Sequence, residues 1–225
     1  MAVYDTVALE YADVFNDIRL RYFEWPWLQK LITEFKPDSL LDLGCGNGYL
    51  VTALYSTVPN LFAVEPSAPM FRIAQKNLGK KAVLYEATAE KLPFNNDFFD
   101  MVISLLSFRY TNWKAALEEI HRVLKPGGIL IIIDLFASSF NPLYLGKYLK
   151  TLVAVNLQYA GNREYRKKLK KLSQNPDWQE MVRKHPKRRL TEAKLLINEK
   201  FLIRTEENLS VGLRGKTAGL VCVKR

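Results

Sequence analysis

The sequence predicts an α/β fold, a mostly parallel sheet of about seven strands flanked by helices, and three observations predict it. From Ser39 onward, short apolar segments alternate with helical patterns, as in a parallel sheet whose strands are linked by crossover helices. Several of these segments are almost continuously apolar, as strands covered on both faces are. The chain then finishes in two β-rich runs joined around Gly212 and Gly215, which fits an antiparallel finish in which the last strand reverses direction.

Taken in order, strands are expected at 39–43, 61–65, 82–86, 99–104 and 129–134. Between the fourth and fifth, Trp113, Ala116, Leu117, Ile120 and Leu124 recur at helical spacing, and Lys125-Pro126-Gly127-Gly128 is expected to end that helix. A further helix is expected at 191–200, followed by strands at 201–211 and 217–223. No internal repeat or low-complexity tract interrupts the pattern.

With 225 residues, 48% of them hydrophobic and 25% charged, the chain can bury a sizeable core without a metal or a disulfide. Cys45 and Cys222 are the only cysteines, which excludes a disulfide scaffold and a four-thiolate metal site and suits a reducing, cytoplasmic location. The N-terminus has no apolar signal-like core, and no stretch approaches the length of a membrane span, so neither secretion nor membrane insertion is expected. The net charge of +10 is confined to one place. In residues 136–189, thirteen Lys and Arg stand against Glu164, Asp177 and Glu180, while the rest of the chain is balanced. That segment reads as a unit with its own partner or packing problem.

The most informative stretch is Leu40 to Gly48, an apolar strand running into a loop with glycines at 44, 46 and 48. Glycines there permit a tight turn and let a ligand approach the backbone. A dinucleotide fingerprint places its third glycine where this chain has Tyr49, so the spacing argues against a nicotinamide cofactor. Glu65 lies at the expected end of the second strand, where a carboxylate can accept hydrogen bonds from both hydroxyls of a ribose. Loop and carboxylate together point to a nucleoside-binding crevice.

These residues resemble a known family. Asp42 to Gly48, Glu65-Pro66-Ser67, Ala89 to Phe94, Phe99-Asp100 and Leu124 to Gly128 resemble, in order, the motifs of class I S-adenosylmethionine-dependent methyltransferases. The nearest group is the broad one that includes the quinone and biotin-precursor methyltransferases. The resemblance covers about 37–134, resumes weakly from Thr191, and implies a Rossmann-like single domain. Its parts are an N-terminal helical cap (1–36), a cofactor-binding core (37–135), a basic helical lid (136–189) and a C-terminal helix with a strand pair (190–225). It implies S-adenosyl-L-methionine as cofactor, with S-adenosyl-L-homocysteine as product. Gly44 and Gly46 would lie by its aminoacyl part, Glu65 at the ribose, and Met70, Ala89 and Glu90 around the adenine, with Asp42 a further cofactor-binding residue. Leu105 would line the methionine side and Tyr11 would close over it. Thr88 stands where the family often has an acid for the adenine amino group. For Met70, core filler is the alternative.

A sulfonium methyl is already a strong electrophile, so transfer needs an in-line nucleophile and exclusion of water more than a catalytic triad. Arg109, Tyr110 and Asp134 lie just past the fourth strand and at the end of the fifth, where α/β sheets bind ligands, and are candidates to orient the acceptor. No histidine stands beside Arg109 and Tyr110. His121 reads as structural and His185 as part of a solvated loop. Tyr4, Tyr11 and Tyr22 belong to a stretch that could fold over the cofactor or simply pack. The basic lid has an apolar half at 140–161 and a cationic helix at 163–172 with Tyr165, Leu169 and Leu172 on one face. It suits a small or lipid-like acceptor. The alternatives are an RNA methyltransferase of tRNA type that uses the lid, and a partner subunit that binds the cofactor without turning it over.

Overall fold

The computed structural model describes residues 4–138, 144–160, 162–212 and 215–225. Two short helices, α1 (Ala8–Val14) and α2 (Glu24–Phe35), precede the sheet. The alternating core follows as β1 (Ser39–Leu43), α3 (Tyr49–Leu54), β2 (Asn60–Val64), α4 (Ala68–Leu78), β3 (Val83–Tyr85), β4 (Phe99–Leu105), α5 (Trp113–Val123) and β5 (Leu124–Phe136). Three helices, α6 (Leu145–Ala160), α7 (Arg163–Gln174) and α8 (Pro176–Lys184), fill the segment that the sequence suggested as a lid, and keep that label below. The chain closes with α9 (Leu190–Asn198), β6 (Phe201–Gly212) and β7 (Gly215–Lys224).

The seven strands make one sheet in the order β3-β2-β1-β4-β5-β7-β6, in which β7 alone runs against its neighbours. Strand order reverses between β1 and β4, and the carboxyl ends flanking that reversal form the crevice in which such sheets bind ligands. Both faces are covered, which is why the strands read as continuous apolar runs. Leu41, Leu43, Phe99 and Val102 face one layer with α5 and α9, while Leu40, Ala63, Met101 and Ile103 face the other with α2, α3 and α4.

One expectation is corrected. The helix expected to run through Leu124 ends at Val123; Leu124 is extended and pairs with Phe99, so β5 begins five residues before Ile129. Pro126 drives Lys125 away from helical geometry, and the turn at Gly127 with φ of 72° is taken up as a register shift opposite 99–101. Between β3 and β4 there is no helix among the described residues. Pro93 removes a backbone donor, and Phe94 and Phe98 instead pack beside Phe62 and Phe99, with the Phe94 and Phe99 ring centroids 4.8 Å apart.

The lid docks on the N-terminal helix. Tyr165 and Leu172 of α7 are buried against Val14 of α1, with Leu169 beside them. Around that contact Lys168 pairs with Asp13 at 2.8 Å and Lys171 with Glu10 at 3.2 Å. Residues 140–143 and 161 of the apolar half expected at 140–161 lie outside the described residues, as does residue 139 before it.

Candidate active site

The loop after β1 turns three times through the left-handed region, at Gly44 (φ 71°), Gly46 (57°) and Gly48 (80°). Gly44 is also sterically required, because a Cβ there would lie 2.7 Å from the Cβ of Ser107. The Ser107 hydroxyl donates to the Leu43 carbonyl at 2.6 Å, and the Gly44 and Cys45 amides donate to the Val64 carbonyl. The loop is thereby pinned between β2 and the turn that follows β4.

Glu65 stands at the end of β2 and is buried. One of its carboxylate oxygens accepts the Gly46 amide at 2.8 Å and the other the Ser67 amide at 2.9 Å. Each oxygen keeps lone-pair capacity for a ligand hydroxyl. Burial pushes its pKa up to about 7, the two amides pull the other way, and nearby Asp5 adds to the rise. Asp42, at the end of β1, is also raised to about 7, first by burial and then by the charge of Glu65. Its Oδ2 is buried with no hydrogen-bond partner in the structure. A carboxylate oxygen orphaned in this way is one that a ligand donor would satisfy.

Two cavities meet at this loop. A small one of about 70 Å³ lies against Asp42, Cys45, Asn47 and Tyr11. A larger one of about 460 Å³ runs from Glu65 and Met70, past Ala89 and Glu90, to Tyr4 and Tyr110. Gly44, Gly46, Leu105 and Tyr11 border both. All nine residues expected at the cofactor therefore border one cavity or both, Asp42 only the small one. Glu90 also accepts the Asn112 amide at 2.7 Å, which ties it to the start of α5.

The acceptor candidates are arranged differently from the expectation. Tyr110 lines the large cavity, whereas Arg109 and Asp134 stand behind it. The Arg109 amide donates to Asp134 Oδ2 at 2.7 Å, and its guanidinium Nη2 donates to the Tyr110 hydroxyl at 2.6 Å. Burial raises Asp134 to about 6, against the pull of Arg109. Burial also raises Tyr110, and Arg109 opposes that shift. The arrangement fixes the Tyr110 oxygen at the cavity wall and leaves Asp134 no face on the cavity.

The N-terminal stretch closes one side. Tyr4 packs edge-on against Tyr11 and Tyr110, with centroids 5.0 and 5.3 Å away. Arg21 donates to the Tyr11 hydroxyl, Asn47 to the Phe15 carbonyl, and Ser67 to Asp5. Tyr22, grouped with Tyr4 and Tyr11 in the sequence, is exposed and borders neither cavity. His185 is not part of a solvated loop: its ring packs 5.3 Å from Tyr110, and its Nδ1 lies 3.0 Å from the Met181 carbonyl. Sequence reasoning missed this contact and the buttressing roles of Ser67 and Ser107. Only Ser67 carried a local signal, as a hydroxyl preceding Ala68-Pro69 at a helix start.

Comparison with known proteins identifies the family. Residues 41–132 match the family model of a methyltransferase domain. The ubiquinone/menaquinone biosynthesis C-methyltransferase UbiE of Coxiella burnetii is 32% identical over 154 residues, 63% of this chain and 61% of that protein, so the chain spans less than two thirds of that relative. The demethylmenaquinone methyltransferase of Thermotoga maritima is 32% identical over 163 residues, 68% of this chain and 70% of that protein. Among solved structures, a putative S-adenosyl-L-methionine-dependent methyltransferase from Methanococcus maripaludis superposes with a TM-score of 0.63 at 20% identity, covering 100% of this chain and 94% of that one, which shows the shared fold. The chain belongs to the class I S-adenosylmethionine-dependent methyltransferases.

Proposed function

We propose that the protein methylates a ring carbon of a small, lipid-like, hydroquinone-type acceptor. The observation that carries this reading is the large cavity with two unlike ends. At one end Glu65 and the glycine loop offer acceptors and close backbone; at the other Tyr4, Tyr11 and Tyr110 offer flat apolar faces and hydroxyls. The names of the curated relatives, which act on quinone precursors, supply the acceptor class.

In this reading Glu65 accepts the ribose hydroxyls and Asp42 Oδ2 gains a donor from the aminoacyl ammonium. Met70 and Ala89 flank the adenine. S-adenosylmethionine, when bound, supplies an electrophilic methyl whose transfer leaves the electron pair on sulfur and releases one proton from the acceptor carbon. Tyr110, held by Arg109, orients an acceptor hydroxyl, and Asp134 positions Arg109. Tyr4 and Tyr11 exclude water, which matters because orientation and desolvation carry most of such a reaction.

The test is calorimetry with S-adenosylhomocysteine, followed by methyl transfer to a short-tailed demethylmenaquinol. Saturable cofactor binding with methyl incorporated on the ring supports the proposal. Cofactor binding with no transfer to the quinol, but transfer to a tRNA pool, overturns the acceptor class.

A further inference from the structure

We infer that α6 seats the protein on an anionic phospholipid surface. The helix is built inside out. Its outward-facing side chains include Leu145, Leu149, Leu152 and Val153, exposed by 47, 52, 40 and 57% respectively. Spaced at i, i+4, i+7 and i+8, they form one stripe about 100° wide, the width that normally faces a core. Tyr148, Thr151 and Ala154, by contrast, are partly buried, and Lys147 is turned toward Glu207 of β6 at 3.7 Å. A soluble helix ordinarily places these two sets the other way round.

What covers the stripe is indicated by charge. Leu145–Ala160 contains Lys147 and Lys150 and no acidic residue, and Lys150 is exposed at the margin of the apolar stripe. The helix lies within the 136–189 segment that holds the whole excess positive charge. A second copy of this chain would bring the same cations against themselves. A bilayer containing anionic lipid instead receives the leucines at its acyl boundary and the lysines at its headgroups. No helix among the described residues is long and apolar enough to cross a membrane, so α6 would lie on the surface. The inference does not depend on the acceptor proposed above, and either can fail while the other stands.

The experiment is sedimentation of the full chain with vesicles of phosphatidylcholine alone or mixed with phosphatidylglycerol, at low and high salt. The wild type is expected to bind the mixed vesicles selectively, and less at high salt. Leu149→Glu combined with Val153→Glu should weaken that binding by roughly tenfold or more, since it removes apolar area and adds like charge to the lipid. Lys150→Gln should weaken it several-fold, and calorimetric affinity for S-adenosylhomocysteine should be unchanged in all variants. Absence of selectivity for anionic vesicles overturns the inference. So does full binding by the Leu149/Val153 variant, which would mean charge alone holds the protein there. A wild-type dimer in solution that this variant makes monomeric would assign the stripe to a second copy instead.

Discussion

The loop after β1 and the lid after β5 are held in place by different means. The loop is fixed by backbone: three left-handed glycines, amides donating to Val64 and Glu65, and a Ser107 contact that leaves no room for a side chain. The helix α7 of the lid is held on α1 by side chains, through a few apolar contacts and two ion pairs that reach solvent. Backbone constraints are all-or-none, whereas exposed pairs contribute little each and are screened by salt. The loop is therefore the more rigidly built of the two, and it borders both cavities, whereas no described residue of the lid helices lines either one.

The sharpest way to break this contrast is Gly44→Val. A side chain at φ 71° is strained, and its Cβ would overlap Ser107. The two costs together are about 2–6 kcal/mol, and cofactor binding should be lost. Gly127→Ala is the control: its φ is 72°, but nothing lies within 4 Å, so only the conformational cost of about 1–2 kcal/mol is expected and binding should survive. Thermal melting and calorimetry on both variants measure the difference. Equal losses in the two would mean that Ser107 does not constrain the loop.

Next in size is Glu65→Gln, which keeps the shape and removes the charge. Cofactor affinity should fall about 10–100-fold, the equivalent of ~1–3 kcal/mol. Unchanged affinity would displace Glu65 from the ribose role.

The same carboxyl makes a pH prediction with two opposite signs. Its folded pKa of about 7 lies above its unfolded value, so its contribution to the stability of the ligand-free protein is whole below about pH 4 and is lost as pH rises through about 7. Asp42 acts in the same direction. Cofactor affinity should run the other way and weaken as pH falls below about 7, because an ionised Glu65 is the better acceptor. Glu65→Gln should flatten both trends. Melting curves with and without S-adenosylhomocysteine across this range would reveal it, and parallel trends in the two would contradict it.

The contrast also explains what the sequence disclosed. Glycine spacing, the Glu65 carboxylate and the continuous strands are local signals, and each marks a local requirement of backbone or burial. The strand boundary at Leu124 was obscured because a leucine at helical spacing is equally good as the first residue of a buried strand. The failure at His185 has another cause. Nothing within ten residues of it reports that the end of α8 returns to Tyr110, which lies 75 positions earlier in the chain. Arg109 and Asp134 could be grouped by their places at strand ends, but only packing determines that Tyr110 stands between them and the cavity.

The smallest expected effect tests the lid itself. Neutralising Lys167 and Lys170, which are exposed on the side of α7 away from Tyr165 and Leu172, should leave melting and cofactor affinity nearly unchanged. The informative quantity is the salt dependence of RNA binding. If α7 followed a nucleic-acid backbone, each lost phosphate contact would flatten the slope of log affinity against log salt by about 0.7–0.9. Two of the lysines nearest the docking face, Lys168 and Lys171, are already paired with Asp13 and Glu10, which reduces the cations available to phosphates. A lid of this kind should bind RNA weakly in the wild type, with little slope for the variant to lose. Tight, steeply salt-dependent binding to a tRNA pool that falls away in the double variant would reverse the reading, since it would make α7 a nucleic-acid-binding surface.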